Sequence, residues 1–166
     1  MANNNMYQYS FANTDLVLAI PDSVGTYNRL KIKGYPTGEQ LINVTRRAPI
    51  ATTSFGAYGD FIVNLQRIKA TDLVFPLLMN APENKILQDY ANYVQAQAEA
   101  DGALIYPIHG KLTDNMGNDQ ATLTNGIILA IPSMSRGQTM NSVNWVLTFG
   151  QGNFNRGDGD DATNLG

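Results

Sequence analysis

Apolar and polar positions alternate with a period of two along most of this chain, and give way once to a helical period. The plainest alternation is in residues 142–149, where Val143, Trp145, Leu147 and Phe149 fall on one face and Ser142, Asn144 and Thr148 on the other, the spacing of a half-buried strand. Residues 60–66 repeat it, with Phe61, Val63 and Leu65 against Asn64 and Gln66. Both sets are expected to face the core. Shorter strands are predicted over residues 16–20, closed by Pro21, then 27–33, 40–47 and 103–109. Residues 120–124 and 126–131 read as two strands, or as one bent strand with Gly126 as its bulge. A connector containing Pro76 leads from residue 66 into the one helical segment, residues 81–98. There Asn80 is placed to cap, Glu83 to reach back to it, and Pro82 to sit where first-turn amides need no partner. Ile86, Leu87, Tyr90, Val94 and Ala98 then share a face.

One amphipathic helix needs a sheet to cover. The expected fold is therefore mainly β, a β-sandwich or barrel of antiparallel strands, with one flanking α-helix at about residues 81–98. The expected division is an N-terminal arm (1–13), one β domain (14–151) and a mobile Gly/Asp-rich tail (152–166). The arm is Asn-rich with Met6, Tyr7, Tyr9 and Phe11 interspersed, aromatics that suggest docking. Residues 48–59, APIATTSFGAYG, lie between two strands and exceed any tight-hairpin connection. They carry Ile50, Phe55 and Tyr58, large apolar groups ill suited to a solvated loop, and Gly56 and Gly59, which open backbone conformations closed to other residues.

Composition narrows the classes. The 166 residues are 43% hydrophobic, enough for one domain with a sizeable core, but only 15% charged, below the usual quarter. A surface poor in charge is one suited to meeting other protein. A net charge of −3 and a pI near 4.9 argue against a chain built to grip nucleic acid. With no cysteine there is no disulfide framework, thiol nucleophile or thiolate metal site. The longest apolar run, residues 73–79, is too short for a membrane span and holds Pro76. Residues 1–10 lack the basic and apolar regions of a secretory signal.

The search for chemistry returns little. His109 is the sole histidine, and no second ligand stands at metal-site spacing. No nucleophile elbow or phosphate-binding glycine loop occurs. Asp158, Asp160 and Asp161 lack the spacing and terminal Glu of a calcium loop. No catalytic residue, metal ligand or cofactor site is assigned, and the chain is not expected to be an enzyme.

The order of segments SFGAYGDFIVNLQ, NAPENKILQDY, ALIYPIHGKL, NGIILAIPS and SVNWVLTFG resembles the inner tail tube protein of contractile-tailed bacteriophages, whose fold is shared with the type VI secretion tube protein. The resemblance covers roughly residues 15–150. It implies a structural virion protein of the phage tail, assembled in the host bacterial cytoplasm, whose six-fold rings stack into a hollow tube. It also implies contacts with the tail sheath protein, the baseplate and the tape-measure protein, and passage of DNA without specific binding. In that family the loop corresponding to residues 48–59 reaches from one ring to the next. The expected inter-subunit residues are Ile50, Phe55, Gly56, Tyr58 and Gly59, with Arg46 and Arg47 at the base pairing with a neighbour's carboxylates. The alternatives are a β-rich binding module or a baseplate or tail accessory protein of a virion.

Overall fold

The computed structural model describes residues 10–38, 41–100, 105–115 and 117–157. The chain folds as a mainly β protein with one flanking helix. Its strands are β1 (Thr14–Pro21), β2 (Tyr27–Lys31), β3 (Asn43–Arg46), β4 (Ala51–Phe55), β5 (Phe61–Leu65), β6 (Thr71–Leu78), β7 (Ile108–Asp114), β8 (Gln120–Ala130) and β9 (Ser142–Asn155), with α1 (Glu83–Glu99) between β6 and β7. Seven strands form one antiparallel sheet in the order β2-β1-β7-β8-β9-β6-β3, and β4 and β5 form a separate two-stranded ribbon. Met6, Tyr7, Tyr9 and the tail beyond Gly157 lie outside the described residues.

The core follows from alternation. Leu16, Leu18 and Ile20 of β1, Leu73, Phe75 and Leu77 of β6, and Trp145, Leu147 and Phe149 of β9 are buried in one cluster, with Ile108 and Leu123 from the strands between. Val143 packs half-buried at its margin. The helix adds Leu87, Tyr90 and Ala91. Its buried face is narrower than the sequence spacing implies: Val94 is half-buried, while Ile86 and Ala98 are exposed. The buried positions, Glu83, Leu87, Tyr90 and Ala91, fall in the first half of α1, with Tyr93 and Val94 packing partly against the core beyond them.

Four sequence expectations are corrected here. First, Phe61, Val63 and Leu65 are not in the core; they are exposed on β5. Second, the supposed connector around Pro76 is strand β6, which lies between β9 and the edge strand β3. Proline is tolerated there because the Leu78 N–H, on the same side of the strand, points away from β9 to the Gly34 carbonyl (2.8 Å), so the missing N–H at Pro76 falls on the side that β3 no longer reaches. Third, Asn80 does not cap α1. Pro82 occupies the cap position with no side-chain bond, and Glu83 accepts instead from the Lys33 N–H (3.0 Å). The side chain that ties the helix start down is Asn84. Its amide donates to the Leu78 carbonyl (2.7 Å), and its Oδ1 accepts from the Trp145 indole N–H (2.9 Å). Fourth, the tail does not begin at Gly152, because β9 continues through Asn155 along β8.

β8 is one bent strand, and the bulge residue is Asn125, not Gly126. Asn125 has φ 59°, and the register against β7 slips between Ile108 and Gly110. Gly126 is required for a different reason: the Phe149 ring occupies the space a Cβ would take. The Asn125 N–H donates to His109 Nδ1 (3.3 Å), and Tyr27 stacks on the imidazole at 5.6 Å. The lone histidine thus braces a bulge. Phe11, in a short 3-10 turn (Phe11–Asn13), meets Tyr35 edge-on at 5.1 Å, so this arm aromatic docks on its own chain.

Candidate assembly interface

The segment expected to be a loop, residues 48–59, is half of a β-hairpin. β4 and β5 pair in register, Ala51 with Leu65, Thr53 with Val63 and Phe55 with Phe61. The turn is closed by the Gly56 N–H on the Asp60 carbonyl (2.7 Å) and the Gly59 N–H on the Gly56 carbonyl (3.0 Å). Gly59 sits at φ +86°, a left-handed position that favours glycine; a turn ending in such a residue is a standard hairpin closure.

The register sorts the side chains. Ala51, Thr53, Phe55, Phe61, Val63 and Leu65 share one face, and Thr52, Ser54, Ile62 and Asn64 the other. The ribbon is therefore amphipathic, and among the described residues nothing covers its apolar face. Phe55 is 73% exposed, Phe61 61%, Val63 45% and Leu65 77%. Phe55 and Phe61 lie against each other at 5.3 Å between ring centres. Ile50 is exposed at the base, and Tyr58 at the tip is 98% exposed. Two-stranded ribbons are marginal alone in water, and a contiguous apolar patch of this kind marks a binding surface.

The base of the hairpin is fixed to the body. The Arg47 N–H donates to the Ala70 carbonyl (2.9 Å), and Lys69 accepts from the Gly152 N–H (3.0 Å). The two arginines differ from their expected role, since both are engaged within the chain. Arg46 Nη2 donates to the Gly152 carbonyl (2.6 Å), and its guanidinium lies 5.3 Å over the Phe154 ring. Arg47 Nε donates to both carboxylate oxygens of Asp72 (2.8 and 2.9 Å), and its Nη2 donates to Thr148 (3.1 Å). Within the chain they tie the root of the hairpin to β6 and β9. Ile50, Phe55, Gly56, Tyr58 and Gly59 do lie together on the projection. Sequence reasoning missed that Phe61, Val63 and Leu65 belong with them; the β-signal in ATTSF, facing FIVNL across a glycine turn, could have revealed it.

Among the described residues, no group of three or more His, Asp or Glu side chains is placed to hold a metal ion, and no helix is long and apolar enough to cross a membrane. A cleft of about 540 Å³ lies between β3 and the ends of β7, β8 and β9, and is lined by Leu41, Ile42, Val44, Leu112, Asp119 and Phe154 among others.

This mainly β fold is one found in contractile injection systems. At 10% identity and a TM-score of 0.53, 94% of the chain matches 99% of a chain from the cryo-EM structure of the anti-feeding prophage cap, the tube-terminating cap. At 10% identity and a TM-score of 0.52, 90% matches 98% of a chain from the sheath/tube terminator of PVC, an extracellular contractile injection system, in its extended state. At 8% identity and a TM-score of 0.51, 85% matches 88% of a chain from the PVC sheath-tube complex in the extended state. No family model matches the chain, and no curated protein matches it in sequence.

Proposed function

We propose that this protein is a non-enzymatic structural subunit of a contractile tail. It assembles with copies of itself into six-fold rings, and the rings stack into an inner tube through which phage DNA is delivered. The observation that carries the reading is the uncovered apolar face of the β4–β5 hairpin, held rigidly at its root and open everywhere else. Covering one such side chain contributes about 1.5–3 kcal/mol, so a neighbouring subunit is the natural occupant. The fold shared with chains from a tube-terminating cap, a sheath/tube terminator and a sheath-tube complex supports the same class. On this reading the tail sheath protein surrounds the tube, the baseplate and the tape-measure protein meet it, and assembly takes place in the host bacterial cytoplasm before the protein resides in the virion. An acidic, charge-poor subunit suits a DNA channel, because each lysine or arginine on a phosphate would add affinity and slow passage.

A second reading is favoured by the likeness to two tube-terminating chains: the protein forms a single ring that ends a tube made of another subunit. Negative-stain imaging of the purified chain separates the two. Hollow tubes of variable length are expected for a tube subunit and isolated rings for a terminator. A uniform particle near 18.1 kDa would overturn both.

A further inference from the structure

The hairpin leaves one end of the sheet, and a second unpartnered apolar surface lies at the other. Arg46 pairs with Thr71 where the hairpin departs. At the opposite end of β6, Leu78 pairs with Ser142, beside the 131–141 connection from β8 to β9. The eight residues of β6 separate the two ends by about 25 Å at roughly 3.3 Å per residue. Around this connection Leu129, Ile131, Met134 and Met140 are exposed, Met134 by 84%. Methionines are flexible and polarisable, and they mould to incoming apolar surfaces. Residues 79–80 and 135–141 enclose a shallow cleft of about 280 Å³. The Met79 N–H donates to the Asn141 carbonyl (3.0 Å) and holds the cleft's two sides together.

The charges are complementary. Between Arg47 and Arg67 the hairpin segment carries a single ionisable acid or base of the Asp, Glu, Lys, Arg type, Asp60, exposed beside the tip. Residues 131–141 likewise carry one, Arg136, exposed at the mouth of the cleft with Nη1 2.9 Å from Met79 Sδ. Each surface exposes large apolar side chains and carries one charge, the charges are opposite, and the cleft's polar lining (Asn80, Ser135, Gln138, Thr139 and Asn141) suits a tyrosine hydroxyl. We infer that the β4–β5 hairpin of one copy docks on the 131–141 connection of a second copy, Tyr58 entering the cleft and Asp60 pairing with Arg136. A contact between opposite ends of identical chains is heterologous, and repeated along one direction it gives an open filament. This assignment rests on the stacking reading above and names its receiving surface.

The wild-type chain has no cysteine, so Asp60→Cys and Arg136→Cys introduce thiols without background. Mixing the two single variants under mild oxidation is expected to give a disulfide-linked dimer, and the double variant a ladder of covalent multimers. Asp60→Arg and Arg136→Asp are each expected to raise the concentration needed for assembly about tenfold or more through like-charge contact. Combining both reversals should return it to within about threefold of wild type. All of these positions are exposed, and circular dichroism melting should be unchanged. Wild-type tubes whose cysteine pair does not cross-link, or whose charge reversals leave assembly unaltered, would overturn this docking site while leaving the stacking reading intact. A wild-type chain that forms neither rings nor tubes would remove both.

Discussion

The β4–β5 hairpin and the β6–β9 pair are both antiparallel ribbons rich in Val, Leu, Ile and Phe. One is bare and the other is closed. In β6–β9, Phe75 lies opposite Trp145 and Leu73 opposite Leu147, and all four are buried in the core cluster. In the hairpin, Phe55 opposes Phe61 and Thr53 opposes Val63, and the face they share meets solvent. The difference does not lie in the ribbons themselves. It lies in what each can reach: β9 has strands on both sides and a bond from Trp145 to Asn84 of the helix, whereas the hairpin strands pair only with each other. Exposed edges and an exposed apolar face are hazards in a monomer and assets in a subunit.

The sharpest break between the two regions should come from Trp145. Replacing it with alanine removes the largest fully buried side chain and frees the Asn84 carbonyl oxygen it satisfies. A loss of about 3–5 kcal/mol is expected in denaturant unfolding of a non-assembled form. Leu65→Ala, removing an apolar side chain of comparable character from the hairpin, should change stability by less than about 0.5 kcal/mol and instead weaken assembly. Equal destabilisation by both would mean that the hairpin is part of the core.

A finer comparison lies within α1. Leu87→Ala is expected to cost about 2–5 kcal/mol, because Leu87 is fully buried. Ile86→Ala, one position along and exposed, should cost under about 1 kcal/mol. Thermal melts in which the two variants coincide would show that the buried face is wrongly placed.

These contrasts also explain what was legible in the sequence. Alternation sorted faces correctly in both β5 and β9, because a period of two is fixed by backbone geometry. It could not say what covers each face, since that depends on strands far away in the chain. Trp145, Leu147 and Phe149 acquired neighbours; Phe61, Val63 and Leu65 did not. Pro76 misled because a strand can admit proline where its far side is unpaired, a property of β3's short reach and not of local sequence. Arg46 and Arg47 have partners within the chain that were illegible for the same reason: Asp72 is brought close by the β3–β6 register, and Gly152 by the β6–β9 register beyond it. The apolar content of residues 48–59 was legible as a sign of contact, because it concerns composition and not partners.

Alkaline titration probes the closed region more gently. Burial, and next the neighbouring Tyr93, push the Tyr90 hydroxyl up to about 12, from an ordinary value of about 10. Above pH 10 the unfolded chain would ionise here while the folded chain keeps its proton. The contribution of Tyr90 is thus fully present below about pH 10 and lost as pH rises towards 12. Tyr90→Phe should flatten stability over that window and cost about 1 kcal/mol at neutral pH, through the lost hydrogen bond to the Tyr106 carbonyl (2.9 Å). An unchanged alkaline slope would show that other groups set it.

The smallest effect is expected where the two regions join. Asp72 lies opposite Thr148 in the β6–β9 ladder, accepts from its hydroxyl (2.7 Å) and holds Arg47 at the hairpin root (2.8 Å). Both side chains of the ion pair keep access to water, at 47% and 29% exposure, so solvent screening limits its worth. Asp72→Asn should lower stability by no more than about 1 kcal/mol, with the difference shrinking as salt is added. Its effect on the hairpin's stance should be larger than its effect on folding. Amide exchange at Arg47, whose N–H bonds to the Ala70 carbonyl, should quicken in the variant while exchange in the middle of β6 and β9 stays slow. If exchange quickens equally in both places, Arg47 and Asp72 support the body itself, and the hairpin has no separate anchor.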